Sequence, residues 1–278
     1  MNLRSDATNI ETRNTRPPYK YRSVPTTHDT GVRNGSYAYD VLADDGLRPS
    51  SNLLIQNLGT DHLIRLRQFF RRITLTKDQY LYQQDDKIDN IIFPETAVVS
   101  EFQILEDGRM IEVGIIGSEG AVGIASAFSP CRAANCTQVC VAGSAIVIPR
   151  DLLEREVASD ARLQSILHNY INGQIKQLSQ RVVCNTFHSV EQRFCSWLLT
   201  LQGRSRRDRF KITHEQVARV LGVHRPSVTC IAQGLRERNL IDYGRARLVM
   251  CDKAGIEKLA CGCGHDPIPV RPLNLRSL

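Results

Sequence analysis

No apolar run in this 278-residue chain approaches the roughly 20 residues that a membrane-spanning helix needs. A basic amphipathic helix with bulky apolar residues opposite is also missing, so no membrane partner is expected. The N-terminus is polar and mixed in charge, unlike a secretory signal. The nine cysteines are odd in number and scattered. Without a signal they read as reduced thiols of a cytoplasmic protein rather than a disulfide frame. Residues 73–149 hold no histidine. That excludes a cupin-like enzyme, which needs two or three histidines and a carboxylate on neighbouring strands. No Ser or Cys occupies a nucleophile elbow or stands beside a histidine motif. No enzyme is expected.

The length allows two domains and a linker, and 42% hydrophobic residues suit a globular chain. Residues 1–50 are rich in Asn, Thr, Arg, Asp, Pro, Ser and Gly and lack apolar periodicity, so they read as a disordered arm. No repeats stand out. Leu53 to Ile73 is helical in pattern. Short strands separated by turns follow to Pro149, with hairpins expected at Glu106-Asp107-Gly108-Arg109 and at Ala142-Gly143-Ser144. Strands at this spacing suggest a small β-roll over 51–150. Asp151 to about Val183 reads as one long helical pattern, which defines a segment over 151–187. Residues 265–278 read as a flexible tail.

The stretch ITHEQVARVLGVHRPSVTCIAQGLRERNLIDYGRARLVM (212–250) is the most informative. Thr213 stands three residues before Gln216, the spacing of a capping box. Val217, Ala218 and Leu221 then repeat at helical spacing, and Gly222 stops that helix. His224-Arg225-Pro226 restarts the chain, with proline in a first turn where it costs little. Val228, Ile231, Ala232 and Leu235 form the buried face of a second helix over 225–237. Leu240-Ile241 and Leu248-Val249-Met250 flank a turn carrying Arg245 and Arg247. Helix, turn, helix and basic hairpin make a winged helix-turn-helix over 188–264, which places its second helix in a major groove. The DNA contacts expected on the helices are Thr213, His224, Arg225, Ser227, Thr229 and Gln233. Arg245 and Arg247 are expected on phosphates.

The charge distribution points the same way. From His188 onward there are 16 Lys and Arg against 8 Asp and Glu, while the 187 residues before it hold 20 against 21. A basic module on a neutral body is the footprint of a nucleic-acid binder, here of double-stranded DNA. A competing reading is a cyclic-nucleotide or redox sensor acting on a protein partner, which leaves the basic winged helix without a use. In the long helical segment, Leu163, Ile166, Leu167, Tyr170, Ile171, Ile175 and Leu178 recur at three- and four-residue steps. They are expected at a homodimer interface, because helix-turn-helix readers usually pair on two half-sites.

The order of helix, β-roll, long helix and winged helix, with HSVEQRFCSWLL (188–199) and VLGVHRPSV (220–228), resembles the Crp/Fnr family of bacterial transcription regulators from about residue 51 to 264. The resemblance implies an α+β protein. Its parts would be a cyclic-nucleotide-binding-like jelly roll, a long dimerisation helix and a C-terminal winged helix-turn-helix. RNA polymerase is a further partner it brings in. It also implies that Arg225 reads a guanine in a near-palindromic site. Pro226 replaces a familiar glutamate and Cys230 a frequent arginine, so the half-site preference is expected to differ.

The family's cyclic-nucleotide pocket has its nearest counterpart in GSEGAVG (117–123), with Glu119 and Gly120, and in Arg132. Ala133 and Ala134 follow Arg132, so the phosphate-binding hydroxyl is missing and cyclic nucleotide is not expected. An iron–sulfur cluster is not expected, because no cysteine precedes Cys131. Cys136 and Cys140 could share a strand face but read as buried thiols. Haem would need a histidine such as His62, His168 or His188, and is not expected. Cys261-x-Cys263-x-His265 offers three crowded ligands where zinc takes four, so no metal is expected. The activating signal is left open.

Overall fold

The computed structural model describes residues 40–41 and 49–263. Nearly all of the arm expected over 1–50, and the whole tail expected over 265–278, lie outside the described residues. The architecture is α+β. A two-sheet β-roll is followed by a long helix and a winged helix-turn-helix.

In chain order the first part comprises β1 (Asp40–Val41), α1 (Leu53–Gln56), α2 (Thr60–Arg67), β2 (Arg71–Leu75), β3 (Tyr80–Tyr82) and β4 (Asn90–Pro94). It continues with β5 (Val98–Ile104), β6 (Met110–Ile116), β7 (Cys136–Val141) and β8 (Gly143–Pro149). One antiparallel sheet has the order β1-β2-β8-β4 and the other β3-β7-β5-β6. Their facing residues, among them Leu75, Leu81, Ile91, Phe93, Val99 and Ile148, are almost fully buried. Burying each such side chain contributes roughly 1.5–3 kcal/mol.

Two local expectations are corrected. The helical pattern from Leu53 to Ile73 divides at Gly59. It ends before Arg71, because Arg71 to Leu75 pair in register with Val147 to Gly143. Sheet hydrogen bonds outweigh the apolar period there. Asp107-Gly108 does close a hairpin between β5 and β6, with Gly108 at φ +83°. Ala142-Gly143-Ser144 does not close one, since β7 pairs with β3 and β5 while β8 pairs with β2 and β4. That turn carries the chain from one sheet to the other, and Gly143 passes so close to Thr96 and Ala97 that a Cβ would collide with them.

The long pattern after Pro149 is two helices, α3 (Arg150–Ser159) and α4 (Ala161–Phe187). Asp160 breaks it. Its backbone is extended (φ −140°, ψ 111°), and its side chain accepts from the amides of Arg162 and Leu163, an N-cap for α4. The same carboxylate meets His62 Nε2 at 2.5 Å, while Glu156 takes His62 Nδ1 at 2.7 Å. The break is thereby fastened to α2.

The C-terminal part comprises α5 (Val190–Ser205), β9 (Arg209–Lys211), α6 (His214–Leu221), α7 (Arg225–Glu237), β10 (Ile241–Gly244), β11 (Arg247–Met250) and α8 (Lys253–Leu259). Ser189 and Gln192 form a capping box at the start of α5. Phe194, Leu198, Val217, Val228, Leu235, Leu248 and Ile256 make its core. That core is continuous with Val98, Phe102, Ile115 and Val141 of the β-roll, so the two parts share a packed seam.

The β10–β11 turn holds two non-glycine residues in the left-handed region, Arg245 (φ 50°) and Ala246 (φ 60°). A Cβ there costs on the order of 1 kcal/mol. Ala246→Gly is therefore expected to raise unfolding stability by about 0.5–1 kcal/mol, read as a higher midpoint in urea denaturation. A lowered midpoint would show that the turn is not strained at this residue.

Candidate nucleic-acid interface

α6 starts where Thr213 Oγ1 accepts the Gln216 amide at 3.1 Å and the Gln216 side chain returns to the Thr213 amide at 3.0 Å. Thr213 is thus occupied as a cap, whatever else its exposed position meets. Gly222 ends α6 in the left-handed conformation (φ 64°, ψ 39°). A Cβ on it would also lie 2.9 Å from Ile111 of β6. α7 begins after His224 and carries Pro226 in its first turn. Val228, Ala232 and Leu235 are buried, and Ile231 is half-buried.

The opposite face of α7 exposes Arg225, Ser227, Thr229, Cys230 and Gln233, with His224 exposed just before it. Among the described residues Arg225 and Arg245 have no carboxylate partner, whereas Arg247 lies 3.7 Å from Asp242. The wing therefore presents one arginine at its tip and a second that is partly neutralised. Thr229 Oγ1 donates to the Arg225 carbonyl at 3.2 Å and meets His214 Nδ1 at 3.0 Å. His214 stands edge-on to Tyr243 (4.4 Å, 84°) and braces α7 against the wing. Burial, then the charge of Arg225, lowers the His214 pKa and so favours the neutral ring. The sequence gives no sign of this role, because Thr229 is 15 residues further on.

Several contacts join this module to the β-roll. Gln216 Nε2 donates to Asp78 Oδ1 at 2.8 Å, and Lys77 Nζ donates to Gln216 Oε1 at 3.3 Å. Beside them Arg181 of α4, outside the module, pairs with the buried Glu112 at 2.9 Å. Arg204 of α5 pairs with Glu119 at 2.6 Å, and both side chains are at most 5% exposed.

That last pair draws in a residue expected at an effector pocket. Glu119 also accepts the Gly117 amide at 3.0 Å, so its carboxylate is engaged within the chain. Gly120 lies under the Tyr170 ring, where a Cβ would collide. Glu119 and Arg132 do border one cavity of about 360 Å³, together with Glu101, Tyr170, Gln174 and Leu178. The Arg132 guanidinium donates to the Asp85 carbonyl at 2.7 Å. Two carboxylates against one engaged arginine make a poor seat for a phosphate.

The residues expected at a dimer interface separate into two groups. Leu163, Ile166, Leu167 and Tyr170 are buried in the β-roll core of their own chain, which corrects their assignment. Their helical period is satisfied by the roll. Ile171 is half-buried against the same core, while Ile175 (56% exposed) and Leu178 (46%) face outward. Val182, Val183 and Phe187 extend that exposed apolar stripe to the end of α4.

Burial pushes the Cys136 thiol up to about 11 and the Cys140 thiol up to about 12, which keeps both protonated. His62 is held by two carboxylates, and His168 stacks on Phe128 at 4.3 Å. His188 faces Cys263, its Nδ1 3.7 Å from the sulfur. Cys261 and Cys263 stand with Cys184 and His188, and His265 lies outside the described residues.

Residues 192–259 match the family model of the Crp-like helix-turn-helix domain. Solved structures share the fold. A Crp/Fnr-family transcriptional regulator from Thermus thermophilus is 16% identical, with a TM-score of 0.58 over 69% of this chain and 100% of that one. The c-di-GMP-responsive global regulator CLP of Xanthomonas campestris is 14% identical, with a TM-score of 0.58 over 70% of this chain and 100% of that one. FixK2 of Bradyrhizobium japonicum is 15% identical, with a TM-score of 0.58 over 68% and 96%. Among curated proteins, none matches the sequence.

The cavity also sets a pH dependence. Gly114 leaves room for the Glu101 carboxyl, and burial pushes that group up to about 7, with Arg181 opposing and Glu112 reinforcing the rise. The folded chain holds this proton more tightly than the unfolded chain, whose carboxyl titrates near 4.5. Its contribution to stability is complete below that value and falls as pH rises toward 7. The loss is at most ~3 kcal/mol, at roughly 1.4 kcal/mol per pH unit. Glu101→Gln is expected to flatten the stability profile over this window in denaturant titrations at stepped pH. An unchanged slope would mean that Glu101 titrates normally.

Proposed function

We propose that this chain is a transcription regulator of the Crp/Fnr type that binds a near-palindromic DNA site as a homodimer, under control of a signal at the β-roll; the Crp-like helix-turn-helix domain matched over residues 192–259 supports this reading. The observation that carries this reading is Arg225, exposed in the first turn of α7 with no carboxylate partner among the described residues. A guanidinium there reaches the O6 and N7 acceptors of a guanine. His224, Ser227 and Gln233 flank it on the exposed face. Thr229 has its hydroxyl engaged by the Arg225 carbonyl and by His214, which leaves its methyl for a thymine methyl. Arg245 at the wing tip meets phosphate, and Arg247 assists.

The dimer face in this reading is the outer stripe of α4, Ile175, Leu178, Val182 and Phe187. Exposed apolar side chains in one row mark a surface that a second chain covers. Two such chains set two recognition helices one turn of DNA apart, about 34–36 Å. The signal acts where α4 borders the cavity, and it shifts the balance between binding-competent and incompetent poses only by binding them unequally.

Selection of retained fragments from random duplex DNA tests the reading. A two-fold-symmetric motif is expected. Arg225→Ala should relax one position in each half-site, by about 1–3 kcal/mol of discrimination. Arg245→Ala should weaken all sequences alike and lower the salt slope by about one. Equal losses on every sequence for both variants would sink this division of roles.

Val182→Asp tests the dimer. The side chain is 61% exposed within one chain, so the change leaves the fold intact. It is expected to turn a sedimenting dimer into a monomer and to abolish the preference for paired half-sites. A dimer of unchanged strength would move the interface elsewhere.

A further inference from the structure

At the junction of the long helix and the DNA-binding module, four side chains with metal-ligating atoms converge. Cys184 lies in the last turn of α4, and His188 follows that helix. Cys261 and Cys263 follow α8, at the far end of the module. The sulfurs and a ring nitrogen of these four residues all lie within 4.8 Å of one another. Cys184 Sγ is 3.9 Å from Cys261 Sγ, and Cys263 Sγ is 3.7 Å from His188 Nδ1.

We propose that Cys184, His188, Cys261 and Cys263 bind one zinc ion as a closed Cys3His site, pinning the end of α4 to the end of the winged-helix module.

The distances fit the ion. With Zn–S of about 2.3 Å and Zn–N of about 2.05 Å, a tetrahedron has S–S edges near 3.8 Å and S–N edges near 3.6 Å. A disulfide between Cys184 and Cys261 would need sulfurs about 2.05 Å apart, far inside the observed 3.9 Å. An iron–sulfur cluster needs its cysteines spread around several iron atoms, and this group is gathered around a single point. Three thiolates and an imidazole are a donor set that suits zinc among divalent metals. All four positions come from the protein, as in a structural site, with no place left for a reacting water.

The surroundings fit as well. Ser196 of α5 accepts the Cys261 amide at 3.1 Å and its hydroxyl lies 3.0 Å from the Cys261 sulfur, close enough to donate to that sulfur once it is a thiolate. This suits a metal-bound thiolate, which accepts and does not donate. Arg193 borders the same small cavity as Cys184 and Ser196. Its positive charge opposes the net negative charge of three thiolates and an imidazole around Zn²⁺. Binding releases the thiol protons to solvent, with no redox change.

Sequence spacing hides half of the site. Cys261-x-Cys263 is visible and His265 is its near neighbour, but the other two ligands stand 77 and 75 residues away. The expectation of no metal rested on that incomplete set.

The test uses the full-length chain, tag removed and purified reduced without chelator. Elemental analysis is expected to give one zinc per chain. Cobalt exchanged into the site should show tetrahedral d–d bands and thiolate-to-metal charge transfer. Cys263→Ser, at a half-exposed position after the last helix, should abolish both, while Cys230→Ser and Cys251→Ser at exposed positions keep them. His188→Cys should retain one metal per chain with stronger charge-transfer absorption, and Ser196→Ala should weaken zinc affinity about 10–100-fold. A folded, reduced protein that carries well under one equivalent of zinc and gives no tetrahedral cobalt spectrum would overturn the proposal. So would a spectrum unchanged by Cys263→Ser.

Discussion

The joint between the β-roll and the winged-helix module depends on a carboxylate and a guanidinium that have both left water. Glu119 and Arg204 meet at 2.6 Å, almost fully buried. Such a pair adds little net stability, because desolvation offsets most of the attraction. Removing one partner strands the other charge and costs about 3–5 kcal/mol. The pair therefore acts on geometry: it disfavours any arrangement of the two parts in which these side chains separate while still buried. Glycine at 117 is part of the device, since a Cβ there would lie 2.8 Å from the Glu119 carboxylate and 3.0 Å from Arg204 Cβ. Gly222 plays the same part against Ile111.

How much of this was legible in the sequence follows from how local each feature is. The helix-turn-helix is encoded within about forty consecutive residues. A capping box at Thr213, a left-handed stop at Gly222 and an apolar period in each helix all point one way, and the structure has those elements. Agreement across levels is what makes such a stretch readable. The long helix was half readable. Its apolar period states that a face is covered, but not by what. Leu163 to Tyr170 turn out to be covered by the chain's own roll, and only Ile175 onward is left uncovered. The break at Asp160 is visible only once His62 and Glu156 are placed beside it.

What stayed hidden joins residues far apart in the chain. Arg204 is 85 residues from Glu119, and no spacing rule connects them. The turn at Gly143 carries the composition of a hairpin, yet it changes sheets. Turn chemistry fixes the direction of the chain but not the partner of the strand that follows.

α4 is where these threads meet. At 1.5 Å per residue its 27 residues span about 40 Å. Its first half is packed into the roll, and Tyr170, Gln174 and Leu178 border the cavity. Less than one turn beyond Leu178, Arg181 grips Glu112, and the helix ends at Cys184 and His188. An axial shift or rotation at the cavity would reach the winged-helix module through the packed seam and through contacts that exist in discrete arrangements: an ion pair made or broken, a ligand set complete or incomplete. Close-packed cores switch between such arrangements more readily than they deform continuously. In the proposed regulator, a ligand in the cavity would act by changing the free energy of the Glu119–Arg204 pose. A zinc ion at the helix end would set how much of that change is transmitted as rigid motion and how much is lost in bending at residues 188–189.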